Sequence, residues 1–134
     1  MKISHEYPPN ISLIRSVVGE RPEMVYCYGD TIFNPAGKEI PIDVYRHEQV
    51  HEQQQKEFIS PELWWLKYLG DNDFRLSQEL EAYSVQYRFI KNILPAKGQK
   101  EALFEFASNL SKLYQLPISY QKAENLIRQR EKKL

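Results

Sequence analysis

The residues best suited to metal chemistry lie in the stretch RHEQVHEQQQ, residues 46–55, which contains two of the three histidines in the chain. His47 and His51 are one helical turn apart, so on a helix both imidazoles can reach a single tetrahedral ion at about 2 Å. Glu48 lies about 100° further around the helix axis, where its carboxylate can reach a water molecule bound to that ion. The spacing therefore predicts a Zn²⁺ site with Glu48 as general base.

The alternative interpretation is that His47 and His51 are ordinary core or surface histidines. A helical wheel places both on one buried stripe, and the residues within about 60° of His47 are Val44, Val50, Gln54 and Phe58. The opposite side, which we expect to face water, holds Arg46, Gln49, Glu52, Gln53 and Lys56. Because two buried imidazoles without a partner would be costly, this pattern favours a bound metal.

The composition is that of one globular domain, expected to span residues 1–134, with 42% hydrophobic and 13% aromatic residues to build a core. Eighteen basic residues balance eighteen acidic ones, so no net field attracts a polyanion, and we expect no nucleic-acid partner. Cys27 is the only cysteine, which excludes an intramolecular disulfide and a cysteine-based zinc knuckle.

The start of the chain, MKISHEYPPN, lacks the apolar run of a secretory signal peptide, and no segment approaches the length of a membrane span. The sequence therefore predicts a soluble protein without a membrane partner, and we expect a cytoplasmic location. Nothing in the sequence indicates the oligomeric state.

The elements before the histidine motif are predicted to be a short helix and a β-hairpin. Apolar residues at helical spacing follow Asn10, the expected N-cap, and Gly19 is the expected end of this first helix. Runs of β-branched and aromatic residues on both sides of Gly29-Asp30 predict two strands joined as a hairpin. The histidine motif then lies on a helix that begins after Pro41, with the charge of Asp43 near its positive end.

The remaining helices are predicted from caps and breakers: one between Ser60 and Gly70, a longer one that ends before Pro95, and two over residues 101–114 and about 119–131. Trp64 and Trp65 lie among apolar residues and are expected in the core. Cys27 has no basic neighbour in sequence, so we expect a small buried hydrophobe rather than a nucleophile. These elements predict a mainly helical α+β fold with a small N-terminal sheet.

The motif HEQVH followed by a downstream Glu-x-x-Ala pattern resembles the gluzincin metallopeptidases, in which two histidines and a glutamate on a second helix bind zinc. Here QELEAY, residues 78–83, supplies Glu79 and Ala82, and Tyr83 stands where gluzincins commonly have an aspartate. Residues 24–94, from YGDTIFNP through RHEQVHEQQQ to QELEAY, are similar to minimal zincin-like proteins of bacteria and phages. The resemblance implies a zincin-like domain with the hairpin packed on the HExxH helix.

The segment QELEAY offers two candidates for the third zinc ligand, Glu79 and Glu81. On a wheel of the predicted helix, Glu79 falls inside the apolar arc and Glu81 falls on the expected wet face. That wet face also holds Ser84, Arg88 and Asn92. A buried carboxylate needs a strong partner, and a dication is one, so we predict that Glu79 is the ligand.

The resemblance implies hydrolysis of a peptide or protein substrate by a water molecule activated on zinc, with Glu48 as the base. In the family a substrate pairs with an edge strand above the metal, and TIFNP, residues 31–35, is the candidate strand. Asn34 is the candidate for a hydrogen bond to the substrate backbone. The donors considered for the oxyanion are His5, Tyr83 and Arg75.

Two other functions fit the same motif. The first is a zinc hydrolase that acts on a non-protein amide, which the sequence does not separate from a peptidase. The second is a non-catalytic interaction module in which the metal is structural. The presence of Glu48 argues against this module, because a structural site needs no general base.

Overall fold

The computed structural model describes residues 1–134 and contains six helices and a three-stranded sheet. In chain order the elements are β1 (Lys2–Ser4), α1 (Ile11–Val17), β2 (Tyr26–Tyr28), β3 (Thr31–Phe33), α2 (Ile42–Lys56), α3 (Pro61–Gly70), α4 (Asn72–Lys91), α5 (Ala96–Lys112) and α6 (Tyr120–Lys132). None of the helices combines the length and the apolar character needed to cross a membrane. The prediction of a mainly helical α+β fold with a small N-terminal sheet is confirmed.

The sheet is built around the hairpin of β2 and β3, which pair antiparallel with Cys27 opposite Ile32. Gly29 in the connecting turn has a φ of +63°, a conformation that residues with a Cβ rarely adopt. β1 pairs parallel with β3, so the strand order is β1-β3-β2. The prediction that TIFNP forms an edge strand is therefore wrong, because β3 is the central strand and is paired on both sides.

Of the two expected N-caps Ser60 and Asn10, only Ser60 caps its helix. The Ser60 hydroxyl accepts a hydrogen bond from the Leu63 N–H at 3.3 Å, as expected of an N-cap. The expected cap at Asn10 is wrong, since its side chain makes no bond to α1 and both its amide atoms are buried without a partner. The backbone of Asn10, with φ −101° and ψ 24°, is not in the extended conformation from which an N-cap side chain reaches the helix.

Helix α5 begins at Ala96, five residues before the predicted start at residue 101. Gly98 therefore lies in the first turn of α5. In the fold, a Cβ added at Gly98 would lie 3.1 Å from the side chain of Leu94, so the glycine permits a close contact inside the first turn of the helix. The low helix propensity of glycine makes this first turn hard to recognise from the sequence alone.

Two apolar cores surround the central helices. The first, here called the α4–α6 core, lies between helices α4, α5 and α6. It consists of Tyr83, Tyr87, Ile90, Leu103, Phe106, Ala107, Leu110, Tyr114, Leu116, Ile118, Ala123 and Ile127. The aromatic core lies between α1, β2 and α3 and consists of Ile14, Val18, Tyr26, Trp64, Trp65, Tyr68 and Leu69. The placement of both tryptophans in the core is confirmed, and Cys27 is buried as expected.

Helix α2 is fixed to the hairpin by Gln55. The side-chain oxygen of Gln55 accepts a hydrogen bond of 2.7 Å from the Gly29 N–H, and its nitrogen donates to the Cys27 carbonyl at 2.9 Å. Trp65 Nε1 donates to the same carbonyl at 3.0 Å. The hairpin therefore packs on the histidine-bearing helix, as the resemblance implied, and the polar groups at this contact have partners.

Candidate metal centre

The packing of α2 against α4 brings His47, His51 and Glu79 to a single point. The Nε2 atoms of the two histidines are 3.2 Å apart. One carboxylate oxygen of Glu79 lies 3.1 Å from His47 Nε2, and the other lies 3.3 Å from His51 Nε2. The structure thus places the three predicted ligands next to one another, although Glu79 is 32 residues from His47 in the chain.

Glu48, the predicted general base, lies beside this group. Its carboxylate is 3.8 Å from His47 Nε2, and ligand atoms of His47, Glu48 and His51 all lie within 4.8 Å of one another. The Tyr68 hydroxyl donates a hydrogen bond to Glu79 Oε2 at 2.5 Å. Two carboxylates are therefore within reach of the histidines, and Glu79 is the one that contacts both rings.

The side chains of the site are buried, each at most 8% exposed. This confirms that both histidines lie on the inward stripe of α2. Arg46, Gln53 and Lys56 are exposed on the other side as predicted, whereas Gln49 and Glu52 are only partly exposed. The polar side chains that face inward therefore have to find their partners inside the protein.

Glu81, the competing candidate for the third ligand, lies away from the histidines. Its side chain is 35% exposed, and it accepts hydrogen bonds from Gln54 at 2.8 Å and from Arg130 at 3.1 Å. The prediction that Ser84 shares a wet face with Glu81 is wrong, because Ser84 is fully buried and its hydroxyl donates to the Leu80 carbonyl at 2.6 Å. Helix α6 packs on that side of α4, where Arg130 contacts Glu81 and Glu131 contacts Arg88. A wheel of α4 alone does not show this.

The electrostatics of the site favour a positive charge. Burial raises the pKa of Glu48 above its usual value. Burial also opposes ionisation of Glu79, but the neighbouring His51 and His47 outweigh it and hold the pKa of Glu79 well below its usual range. Burial alone would lower the pKa of His51, yet the carboxylate of Glu79 outweighs it and raises that pKa to about 9. Two buried carboxylates beside two imidazoles form a pocket that attracts a cation.

Three residues that contact the predicted ligands had no role predicted from the sequence. The Tyr68 hydroxyl holds Glu79, as described above. The side-chain oxygen of Gln86 lies 2.9 Å from His47 Nδ1, and that of Gln54 lies 2.8 Å from His51 Nδ1. The sequence could have indicated that both glutamines are buried. Gln54 falls on the buried stripe of α2, and Gln86 lies two turns after Glu79, on the same face of α4. A polar side chain on a buried stripe calls for a partner.

A cavity of about 360 Å³ opens beside the site. It is bounded by the four site side chains, by residues 21–27, by α5 and by Tyr114. Asn34, the candidate for binding substrate, does not line it. The side-chain nitrogen of Asn34 donates to the Lys38 carbonyl at 2.7 Å, and Asn34 is 4% exposed, so it holds the turn after β3. The structure therefore does not bring Asn34 to the metal centre.

Of the three donors considered for an oxyanion, only Tyr83 lies at the cavity. Its ring packs against His47 with centroids 4.5 Å apart, and its hydroxyl is 2.6 Å from that of Tyr114. Arg75 is buried and bonds backbone carbonyls, among them that of Tyr68 at 2.7 Å, so its guanidinium holds the fold together. His5 is exposed and does not line the cavity.

The donor atoms fit a tetrahedral zinc ion. Two imidazole nitrogens and one carboxylate are a ligand set of catalytic zinc sites. In a tetrahedral site with bonds of about 2.0–2.1 Å, neighbouring ligand atoms are about 3.3–3.4 Å apart. The Nε2 atoms of His47 and His51 are 3.2 Å apart, close to that spacing, and each has one oxygen of Glu79 at a similar distance, Oε1 at 3.1 Å and Oε2 at 3.3 Å. A carboxylate that coordinates through one oxygen would shift so that this oxygen lies near both Nε2 atoms.

No protein-family model, curated protein or solved structure matches this chain. The chemistry of the site therefore has to be inferred from its own residues. Their arrangement, rather than a relative, is the basis for the function proposed below.

Proposed function

We propose that this chain is a zinc-dependent metallopeptidase of the gluzincin type, with a zincin-like domain. The ligands are His47, His51 and Glu79, and Glu48 is the general base. The observation that carries the proposal is the contact of both histidine Nε2 atoms with the two oxygens of Glu79, at 3.1 and 3.3 Å, with a second carboxylate beside them. A purely structural site would need no such additional carboxylate.

The two carboxylates receive their roles from their positions. Glu79 has one oxygen next to each histidine, and it accepts a hydrogen bond from the Tyr68 hydroxyl. Metal-ligating carboxylates commonly have such an outer hydrogen-bond partner. Glu48 is further from the histidine nitrogens, 3.8 Å at its closest, and lines the cavity. Burial raises the pKa of Glu48, so its carboxylate is a better proton acceptor than an exposed one.

The chain's own residues account for most of the steps of hydrolysis. A zinc ion, when bound, supplies a Lewis acid that lowers the pKa of water to about 7. The carboxylate of Glu48 takes the proton from the attacking water and delivers it to the leaving amine nitrogen. Tyr68 keeps Glu79 in place during this exchange, and the burial of the four site side chains limits the access of bulk water to them.

The cavity indicates which substrates the site takes. More than half of the residues that line the cavity are hydrophobic, among them Met24, Tyr26, Phe106 and Leu113. Such walls favour a large apolar side chain next to the cleaved bond. We therefore expect cleavage sites mapped by mass spectrometry to cluster beside Leu, Phe or Met, and a random distribution would contradict this preference.

The experiment is cleavage of an unfolded protein, such as reduced and alkylated casein, by the zinc-loaded protein. The parent should release peptides, and Glu48→Gln should retain zinc but lose roughly 10²–10⁴-fold in rate, because the amide keeps the size of the side chain and cannot accept the proton. The matched control is Glu57→Gln, an exposed change at the end of the same helix, which should cleave like the parent.

Each outcome assigns a role. A Glu48→Gln variant as active as the parent shows that Glu48 is not the base, and a variant that loses zinc shows that Glu48 is a ligand. A parent that binds zinc but cleaves neither protein nor small amides is a non-catalytic metal module. Activity on small amides alone makes the protein an amide hydrolase of another substrate class.

A further inference from the structure

Two glutamines stand directly behind the histidines, on the side away from Glu79. Gln86 on α4 contacts Nδ1 of His47, and Gln54 on α2 contacts Nδ1 of His51. Gln86 and Gln54 are 4% and 6% exposed. Gln86 also lines the cavity, but in the structure each ring has its glutamine as the hydrogen-bond partner at Nδ1.

The orientation of Gln86 is fixed by the residue behind it. Its nitrogen donates to Asp43 Oδ2 at 2.8 Å. A carboxylate only accepts hydrogen bonds, so the nitrogen of the amide has to face Asp43 and the oxygen has to face His47. The amide oxygen also only accepts, so the proton of this contact has to be on Nδ1 of His47. Asp43 thus sets, through Gln86, which nitrogen of the histidine carries a proton.

Gln54 is fixed in the same way by two acceptors. Its nitrogen donates to the Gln78 carbonyl at 3.1 Å and to Glu81 Oε1 at 2.8 Å. Both partners only accept, so the oxygen of Gln54 has to face His51, whose Nδ1 donates to it. The two histidines therefore have the same arrangement, although one glutamine comes from α4 and the other from the same helix as its histidine.

We propose that Gln86 and Gln54 are positioning residues that keep a proton on Nδ1 of His47 and His51, so that both Nε2 atoms point to the metal centre as ligands. The ring form is a property of this chain, and only its consequence for zinc rests on the function proposed above. Asp43 and Glu81 act one step further out, because they keep the two amides from turning over.

The direct test is a long-range ¹H–¹⁵N NMR spectrum of the metal-free protein, which shows which ring nitrogens carry a proton. Nδ1 of His47 and of His51 should both be protonated, whether or not a second proton is on Nε2. A ring of either residue that is protonated on Nε2 alone overturns the proposal. This measurement needs no variant and no zinc.

The second test compares zinc affinities by competition with a chelator. Gln86→Leu keeps the approximate shape but removes the acceptor, and it should weaken zinc binding by about 10- to 100-fold. The control is Gln53→Leu, an exposed change on α2, which should bind zinc like the parent. The double variant Asp43→Asn with Gln86→Glu exchanges the roles of the two positions, so that the new amide at position 43 donates and the new carboxylate at position 86 accepts. The carboxylate at position 86 can still accept a hydrogen bond from His47. This double variant should therefore recover most of the zinc affinity that Gln86→Leu loses.

The outcomes separate this inference from the proposed function. Parent-like zinc affinity in Gln86→Leu, or no recovery in a folded double variant, overturns the positioning role. A Gln86→Leu variant that does not fold leaves the NMR result on the parent to decide. If the parent binds no zinc, the proposed function fails, and the proton positions in the metal-free rings still test the inference by themselves.

Discussion

Helix α4 takes part in two interfaces that are built on different principles. Toward α2 it presents Glu79 and Gln86, whose polar atoms contact His47 and, in the case of Gln86, also Asp43. Toward α5 and α6 it presents apolar side chains such as Tyr87 and Ile90, which belong to the α4–α6 core. One helix therefore joins a polar interface that has the geometry of a metal site to an apolar interface that holds the fold together.

The difference lies in what each interface demands of its residues. In the α4–α6 core a side chain contributes by its volume and apolar area, so its loss is felt in the free energy of unfolding. At the α2–α4 interface each group has a defined partner, and the loss of one leaves another buried and unpaired. Changes at the polar interface should thus weaken metal binding as well as lower stability, whereas changes in the core should act on stability alone.

The largest effect is expected at Glu79. Glu79→Ala removes a proposed ligand and should lower zinc affinity by more than the roughly 10- to 100-fold that the loss of an outer partner costs. Glu81→Ala should have a much smaller effect, since Gln54 keeps the Gln78 carbonyl as an acceptor. Chelator competition measures both, and a larger loss for Glu81→Ala would overturn the assignment of Glu79.

The second prediction concerns the stability contributed by the α4–α6 core. Ile127 on α6 is fully buried in the α4–α6 core, so Ile127→Ala should destabilise the metal-free protein by about 2–5 kcal/mol. Ile59, which is 97% exposed, is the matched control, and Ile59→Ala should change stability by about 0.5 kcal/mol or less. Denaturant unfolding measures both. Under conditions in which the Ile127→Ala variant is folded, its zinc affinity should remain near that of the parent. A large loss of affinity would show that the α4–α6 core and the α2–α4 interface are not independent.

The smallest effect concerns the ion pairs of Glu131, at the edge of the same core. Burial opposes its charge, but Lys91 and Arg88 outweigh it and lower the pKa of this carboxylate. A lowered folded pKa gives stability that is present above the unfolded value of about 4.3 and is lost as pH falls through the folded value. Glu131→Gln should cost about 1 kcal/mol at pH 7, because both cations are partly exposed and screened.

The control for this pair is Glu124→Gln, which breaks the more exposed contact between Glu124 and Arg128 within α6. It should cost about 0.5 kcal/mol or less. Urea unfolding at pH 7 and at about pH 3 measures the difference, and the cost of Glu131→Gln should shrink at the lower pH. An equal cost at both values would show that the charge of Glu131 is not what stabilises the contact.

The sequence predicted the parts of this fold that depend on local patterns. The helix that carries His47 and His51 follows from apolar spacing and Pro41, and the hairpin follows from Gly29-Asp30 between two strand-like runs. The inward position of Glu79 followed from the wheel of α4. In each case the deciding information lies within a few residues along the chain.

The features that were missed or predicted wrongly from the sequence depend on contacts with residues far away in the chain. β1 is three residues long and half exposed, so only its pairing with β3 makes it a strand. Ser84 is buried on the side of α4 on which α6 packs, and the pattern of α4 does not contain that contact. Gln86 faces His47 only because α2 and α4 pack in one register, and no single-helix pattern gives that register.

The most direct test of the account is the zinc content of the purified protein after loading with zinc and extensive desalting, measured by elemental mass spectrometry. The parent should retain about one zinc per chain. The double variant His47→Ala with His51→Ala should retain none while its circular dichroism spectrum stays helical. A parent that retains no zinc, or a double variant that retains as much as the parent, would contradict the assignment of His47, His51 and Glu79 as a metal centre.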